Sequence, residues 1–296
     1  MSDVPTWRHA CGGLVIDHPI VLGILNVTPD SFSDGGQLVT VEQALRRATE
    51  MIAAGADILD VGGESTRPQG ASAVSVDEEL RRVIPVVESL ARDFPTTPIS
   101  VDTTKSAVAE RALDAGAAIV NDVSAFRVDS RMGRVCADTG AGVVLMHSRG
   151  GVSDMATYAH AVYDSVVDDV VNELAGRLEV ARDAGVSANS IVVDPGIGFS
   201  KRGEHSLAIL AGLTQVVALG HPVLVGASRK RFIGELTGES EPAARVIGTV
   251  AAHVVALERG ARLFRVHDVR PNRQALDVAW AVINAVPVSA PSEPGA

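Results

Sequence analysis

The sequence predicts an α/β protein, a (β/α)8 TIM barrel with a short N-terminal β-hairpin, and three observations carry that reading. Eight short apolar runs recur along the chain, longer amphipathic stretches lie between them, and turns rich in Gly, Asp, Asn or Ser join the two. The runs are β-branched and hardly alternate, which suits strands buried on both faces of a parallel sheet. Eight such alternations in 296 residues, 46% of them hydrophobic, are what a closed barrel requires.

Taken in order, residues 7–16 precede the first run and read as a hairpin capping the barrel bottom. The strand runs are 20–25, 58–61, 99–101, 118–120, 142–146, 191–193, 223–225 and 263–266. Residues 41–54 carry Ala44, Leu45, Ala48 and Met51 on one helical stripe, and 76–91 carry Leu80, Val83, Ile84 and Val87. Further helical patterns cover 105–115, 165–184, 204–219, 242–258 and 273–285. Gly55, Gly116, Gly185, Gly220 and Gly260 follow helical runs, where a left-handed cap is wanted. An open doubly wound sheet is the competing fold. Its first turn usually carries a Gly-rich nucleotide fingerprint, and here that turn is Asn26-Val-Thr-Pro-Asp30. The barrel is expected over 1–286, with a Pro/Ser-rich disordered tail at 287–296.

Composition narrows the function. A formal net charge of −10 argues against a nucleic-acid surface. No run approaches the roughly 18 apolar residues of a membrane span, and residues 1–9 show no secretory signal. Cys11 and Cys136 form no disulfide framework and no metal-type spacing, which fits reduced thiols in the cytoplasm.

Unusual polar residues sit where the strands end. These are Asn26; Glu64 to Pro68; Asp102; Asn121 and Asp122; His147; Asp194; Ser228 to Lys230; and Arg265 with His267. Each alone has a bland reading: an Asx turn, a helix cap, a solvated face, or a core histidine in the case of His147. Together they ring the end of a barrel where chemistry gathers. Asp102, Asn121 and Asp194 suit the donor-rich edge of a heterocycle. Lys230, Arg265 and His267 put positive charge after the last two strands, where barrels hold phosphates. Asn26, with Asp30 and Asp34, offers oxygen donors for Mg²⁺ and substrate phosphates. A metal-dependent hydrolase is the rival from another class. The eight histidines include no H-x-H pair and no H-E-x-x-H, so its usual clustered ligands are missing.

At this point the motifs themselves become informative. Gly23-Ile-Leu-Asn-Val-Thr-Pro-Asp-Ser-Phe-Ser-Asp-Gly-Gly36 and Asp60-Val-Gly-Gly-Glu-Ser-Thr-Arg-Pro68 resemble the two signatures of dihydropteroate synthases. Weaker matches follow in family order: Ser100-Val-Asp-Thr103, Asn121-Asp-Val123, Met146-His147, Asp194-Pro-Gly-Ile-Gly-Phe199, Ser228-Arg-Lys230 and Arg265-Val-His-Asp-Val269. The resemblance spans residues 12–285 and implies joining a pterin pyrophosphate to p-aminobenzoate. It implies pterin contacts from Asp102, Asn121, Asp194 and Lys230, with Met146 and Phe199 lining the slot. Pyrophosphate contacts fall to Thr66, Arg265 and His267, Mg²⁺ to Asn26, and an aminobenzoate enclosure to Phe32 and Pro68. Arg67, Ser228 and Val266 enter the substrate set with their motifs, and Asp102, Lys230, Arg265 and His267 form the catalytic set. A homodimer is also implied. Two neighbouring readings stay open, a corrinoid-linked pterin methyltransferase and a non-catalytic pterin binder. The long first signature argues against the methyltransferase. Departures lie in residues 148–155, at Ser206 and at Ala227, none of them a residue assigned to chemistry.

Overall fold

The computed structural model describes residues 4–27, 37–64 and 74–285. The expected tail at 287–296 lies outside them. The chain opens with an antiparallel hairpin, β1 (Thr6–His9) and β2 (Gly12–Val15). Eight parallel strands follow: β3 (Ile20–Asn26), β4 (Ile58–Gly62), β5 (Ile99–Asp102), β6 (Ile119–Asp122), β7 (Gly142–Met146), β8 (Ile191–Asp194), β9 (Leu224–Val225) and β10 (Leu263–Val266). They neighbour one another in the order β8-β7-β6-β5-β4-β3-β10-β9. A parallel bridge between Val193 and Val223 joins the two ends, and the Val193 N–H donates to the Pro222 carbonyl at 3.0 Å. The sheet is a barrel, and each of the eight expected strands is present.

Helices wrap it: α1 (Gln37–Ala53), α2 (Val76–Asp93), α3 (Ser106–Asp114), α4 (Met132–Thr139), α5 (Val166–Asp183), α6 (Gly203–Ala211), α7 (Leu213–Val217), α8 (Arg231–Thr237), α9 (Val246–Glu258) and α10 (Val269–Ile283). The start of α2 is written locally, because the Ser75 hydroxyl accepts from the Glu78 N–H at 3.2 Å and Asp77, Glu78 and Glu79 fill the first turn. The five glycines expected as helix ends all have positive φ. Four helical details differ from the sequence reading. Short α4 and α8 are present where no helix was expected. Residues 204–219 are two helices meeting at Gly212, where a Cβ would stand 3.0 Å from both methyl carbons of Val167 on α5. Residues 242–258 open with a 3-10 turn, Pro242–Arg245, before α9 begins. Helix α10 starts four residues early because Pro271 falls in its first turn, where a missing N–H costs nothing.

The barrel has two distinct ends. At the bottom, the hairpin inserts Trp7 against Ile20, Leu22, Ile58, Ile119, Val144, Val192, Leu224 and Leu263. Trp7 is 1% exposed, and its indole N–H donates to the Ser190 carbonyl at 2.9 Å. At the top, the register places polar residues side by side: Asn26 beside Gly62, Gly62 beside Asp102, and Asp102 beside Asn121. Met146 stands beside Asp194 in the same way. Parallel pairing thus turns separate sequence motifs into one ring.

Candidate active site

Inside that ring lies a cavity of about 800 Å³. Asn26, Asp102, Asn121, Met146, Asp194, Phe199, Ser228, Lys230, Arg265 and His267 all line it. Val266 does not; its side chain is buried in the core. Thr66, Arg67, Pro68, Phe32, Asp30 and Asp34 lie outside the described residues. The stem of the second loop is described and tightly held: Glu64 accepts from the Val74 N–H at 3.0 Å, and Lys105 pairs with Glu64 at 2.6 Å and Glu79 at 2.5 Å.

The floor is an ionic cluster built on Arg265. Its Nε donates to Asp60 at 2.6 Å, and one terminal nitrogen donates to Asp102 at 2.6 Å. Asn121 also donates to Asp60 at 3.3 Å. Asp60 is fully buried, and its second oxygen has no hydrogen-bond partner among the described residues. The sequence reading gave Arg265 to the pyrophosphate; here two of its three nitrogens are engaged by floor carboxylates. Burial pushes the Asp102 carboxyl up to about 7 although Arg265 opposes it. Burial works against the Arg265 charge too, but Asp60 and Asp102 outweigh it and raise that group above its usual range. Asp194 is also pushed up by burial, to about 6, against the Gly196 N–H that it accepts at 2.7 Å.

One wall is apolar, with Met146, Val123 and Met155 packed together and Phe199 against them. Lys230 crosses this wall with its ammonium 4.0 Å from the centre of the Phe199 ring. Burial and then the Arg265 charge lower it to about 8. Arg229 beside it has φ 59, a left-handed conformation costing roughly 1–2 kcal/mol in a non-glycine residue. A two-point pairing with Asp268 at 2.8 and 2.6 Å holds it there. Arg229 is therefore tied within the fold, and the turn it makes aims Lys230 into the cavity. Ser228 accepts from the His267 N–H at 3.1 Å and meets its Nδ1 at 3.0 Å, which fixes that imidazole at the rim.

His147 follows its bland reading. It is buried, absent from the cavity lining, and held between Lys201 at 2.8 Å and Glu173 at 3.0 Å. Burial drives it down to about 4, so it is a neutral imidazole at ordinary pH. Two residues went unassigned in the sequence. Asp60 was in plain view as a carboxylate inside a buried strand, which demands a charged partner. Lys201 carried no comparable signal, since a lysine after a strand usually reaches solvent.

As a chemical device the cavity pairs buried acceptors with a flat apolar wall, and puts Ser228, His267 and Asn26 at the mouth. It suits a flat, donor-edged heterocycle that carries an anionic group outward. Comparison with known proteins agrees. The family model described as "Pterin binding enzyme" matches residues 22–267. The chain is 43% identical over 265 residues to the dihydropteroate synthase of Bacillus subtilis, covering 90% of this chain and 89% of that one. Among solved structures, the Xanthomonas albilineans dihydropteroate synthase with 4-aminobenzoic acid is 48% identical with a TM-score of 0.87, covering 95% of this chain and 100% of that one. The same enzyme in complex with 7,8-dihydropteroate superposes with a TM-score of 0.83 at 45% identity, over 95% and 100% of the two chains.

Proposed function

We infer the roles of these residues from one premise: the chain belongs to the pterin-binding enzyme family, among the dihydropteroate synthases, and is a transferase of folate biosynthesis. The reaction condenses 6-hydroxymethyl-7,8-dihydropterin pyrophosphate with p-aminobenzoate to give 7,8-dihydropteroate and pyrophosphate. The observation that carries our residue assignment is the row of buried acceptors at the strand ends. Asp102, Asn121 and Asp194 face one cavity whose wall is Met146 and Phe199 and whose only described lysines are Lys201 and Lys230. These three accept from the pterin's ring donors, and the apolar wall takes its face.

In this reading the carbon–oxygen bond to pyrophosphate breaks first, its electron pair leaving on oxygen, and the electron-rich pterin carries the methylene cation. The amine lone pair then forms the new carbon–nitrogen bond, and the surplus amine proton passes to solvent. His267, set by Ser228, faces the departing pyrophosphate, and Lys230 adds positive charge beside it. Arg265 works chiefly from below, keeping Asp60 and Asp102 paired so that Asp102 presents negative charge to the cationic pterin. Thr66, Arg67, Phe32 and Pro68, outside the described residues, are assigned by their motifs to the pyrophosphate and aminobenzoate. Mg²⁺ fits the donors sparingly. Among the described residues no group of three His, Cys, Asp or Glu forms a metal site. Asn26 at the mouth leaves an ion carried mainly by substrate phosphates, as Mg²⁺ often is. Bound there, the ion would neutralise charge on the leaving group.

We also propose that the protein works as a cytoplasmic homodimer of one barrel domain. No helix among the described residues is long and apolar enough to cross a membrane. The dimer is supported by apolar side chains left exposed on α9 and α10, namely Ile247, Val255, Val278 and Val282. Sedimentation at micromolar concentration tests it, and a monomer there removes the proposal. The functional test is a single turnover with pterin pyrophosphate and p-aminobenzoate. Formation of dihydropteroate is expected; pterin binding without product would leave a binder rather than a transferase.

A further inference from the structure

We propose that Lys201 is a positioning residue for pterin binding: its buried ammonium ties the loop after β8 to His147 and so holds the Phe199 ring beneath Lys230. The inference rests on the pterin-site reading above. Lys201 is 1% exposed, has no carboxylate within ion-pair distance among the described residues, and yet reaches the cavity wall. Its ammonium makes two hydrogen bonds, to His147 Nδ1 at 2.8 Å and to the Phe199 carbonyl at 3.1 Å.

Those bonds have a direction. The Glu173 carboxylate accepts from Nε2 at 3.0 Å, so the neutral ring carries its one proton there and leaves Nδ1 to accept from the Lys201 amine. Arg149 anchors Glu173 in turn at 2.9 Å. The loop is fitted to this chain of contacts at several points. The His147 N–H donates to the Asp194 carbonyl at 2.8 Å. Gly196 has φ +69, and a Cβ there would fall 1.9 Å from the His147 carbonyl oxygen, so only glycine permits the approach. A Cβ on Gly198 would stand 3.1 Å from the Lys230 stem. The Phe199 carbonyl is the point where Lys201 grips the loop, and the Phe199 ring is what Lys230 rests on, 4.0 Å from its centre.

A purely structural role would be served as well or better by an apolar side chain of the same length, because a buried ammonium is costly. Lys201→Met therefore separates the two roles. It keeps most of the stem and removes both hydrogen bonds; relief of the buried ammonium is set against two acceptors left without their donor, so the melting temperature is expected to change little. The KM for pterin pyrophosphate should rise on the order of tenfold, the scale of one lost aromatic or cation–π contact. In a Phe199→Ala background the same substitution should add less than about twofold, since the group it positions is gone. His147→Asn, whose amide oxygen replaces Nδ1 as acceptor, should stay near wild type, while His147→Leu should behave like Lys201→Met.

Four results overturn the proposal. They are a KM within about twofold of wild type in Lys201→Met, a loss that merely follows a lowered melting temperature, full additivity with Phe199→Ala, and equal behaviour of the two His147 variants. Wild-type turnover, measured alongside, keeps the two failures apart. A wild type that binds and converts the pterin while Lys201→Met is unaltered rejects the positioning role alone. A wild type that does neither removes the pterin reading, and this inference with it.

Discussion

The two ends of this barrel are built from the same strands and obey opposite rules. At the bottom, Ile20, Ile58, Ile119 and Leu263 close around Trp7, whose one polar atom has its partner. At the mouth the strands end in polar residues instead: β5 in Asp102, β6 in Asn121 and Asp122, and β8 in Asp194. There burial works against the charges: Asp60 keeps an oxygen with no partner among the described residues, and the Asp102 and Asp194 carboxyls sit well above their ordinary range. A strand of four residues is enough to pass from one regime to the other. Stability is concentrated below and the chemistry above, the division expected of this fold.

The largest effect should come from breaking the bottom. Trp7→Ala removes a fully buried indole and its hydrogen bond, and is expected to cost about 3–5 kcal/mol of stability. Chemical denaturation measures that loss, and KM for both substrates should hold at a temperature where the variant stays folded. A selective rise in either KM would mean that the two ends are coupled. At the mouth the trade runs the other way. Asp194→Asn is expected to weaken pterin binding by about 2–4 kcal/mol, because an amide presents a donor to the ring's donors. The same change should stabilise the free protein at pH 8. The folded-state carboxyl titrates near 6, above its ordinary value, so ionising it while buried costs stability. The gain should vanish below about pH 3, where the carboxyl is protonated in both states. Affinity within about fivefold of wild type would sink the assignment.

A subtler test divides the mouth itself. His267→Ala should weaken the pyrophosphate-bearing pterin by roughly 1–2 kcal/mol and leave the pterin alcohol untouched, as for a lost contact to the phosphates. Arg265→Ala should weaken both ligands, since it releases the Asp60 and Asp102 carboxylates that it pairs. Calorimetric titration of each variant with each ligand reads the difference. Equal selectivity in the two variants would place Arg265 at the phosphates after all.

How much of this was legible in the sequence depended on whether the signal was local. All eight strands could be read, because unalternated apolar runs leave few alternatives, and their polar last residues marked the ring. Short α4 and α8 could not be read, since each carries a glycine and neither is long enough to show an apolar stripe. The break at Gly212 belongs to Val167 on another helix, and no local pattern announces it. The pattern over 273–285 missed the first turn of α10, where Pro271 is a permitted residue. Within the site, Asp102, Asp194 and Arg265 were singled out by their strand-end positions. That Arg265 holds Asp102 together with the unassigned Asp60 is a fact of three strands meeting, 205 and 163 residues apart along the chain. Lys201 escaped for the same reason, because its meaning lies in His147, 54 residues away.

The smallest effect is one of pH, and it sharpens the comparison most finely because only the mouth should feel it. Asp102 titrates near 7, Asp194 near 6 and Lys230 near 8, all displaced first by burial. The acids accept from the pterin edge only when ionised, and Lys230 contributes charge only when protonated. So kcat/KM for the pterin substrate should fall on the acid side of about 7 and on the alkaline side of about 8, by up to tenfold per pH unit for each group, or about 1.4 kcal/mol. Stability moves in the opposite sense on the acid side. Both carboxyls have folded-state values above the ordinary one of 3.8, so their protonated forms favour the fold. Stability from this source is complete below about pH 4 and is lost as the pH rises through 6 and 7. The mouth therefore becomes competent over the range where it costs the fold most. Asp102→Asn should remove the limb near 7 from the acid profile, leave the limb near 6, and reduce the loss of melting temperature between pH 5 and 8. Trp7→Ala should shift the melting temperature equally at both. A wild-type profile that is flat from pH 5.5 to 7.5 would show that these buried acids do not control pterin capture.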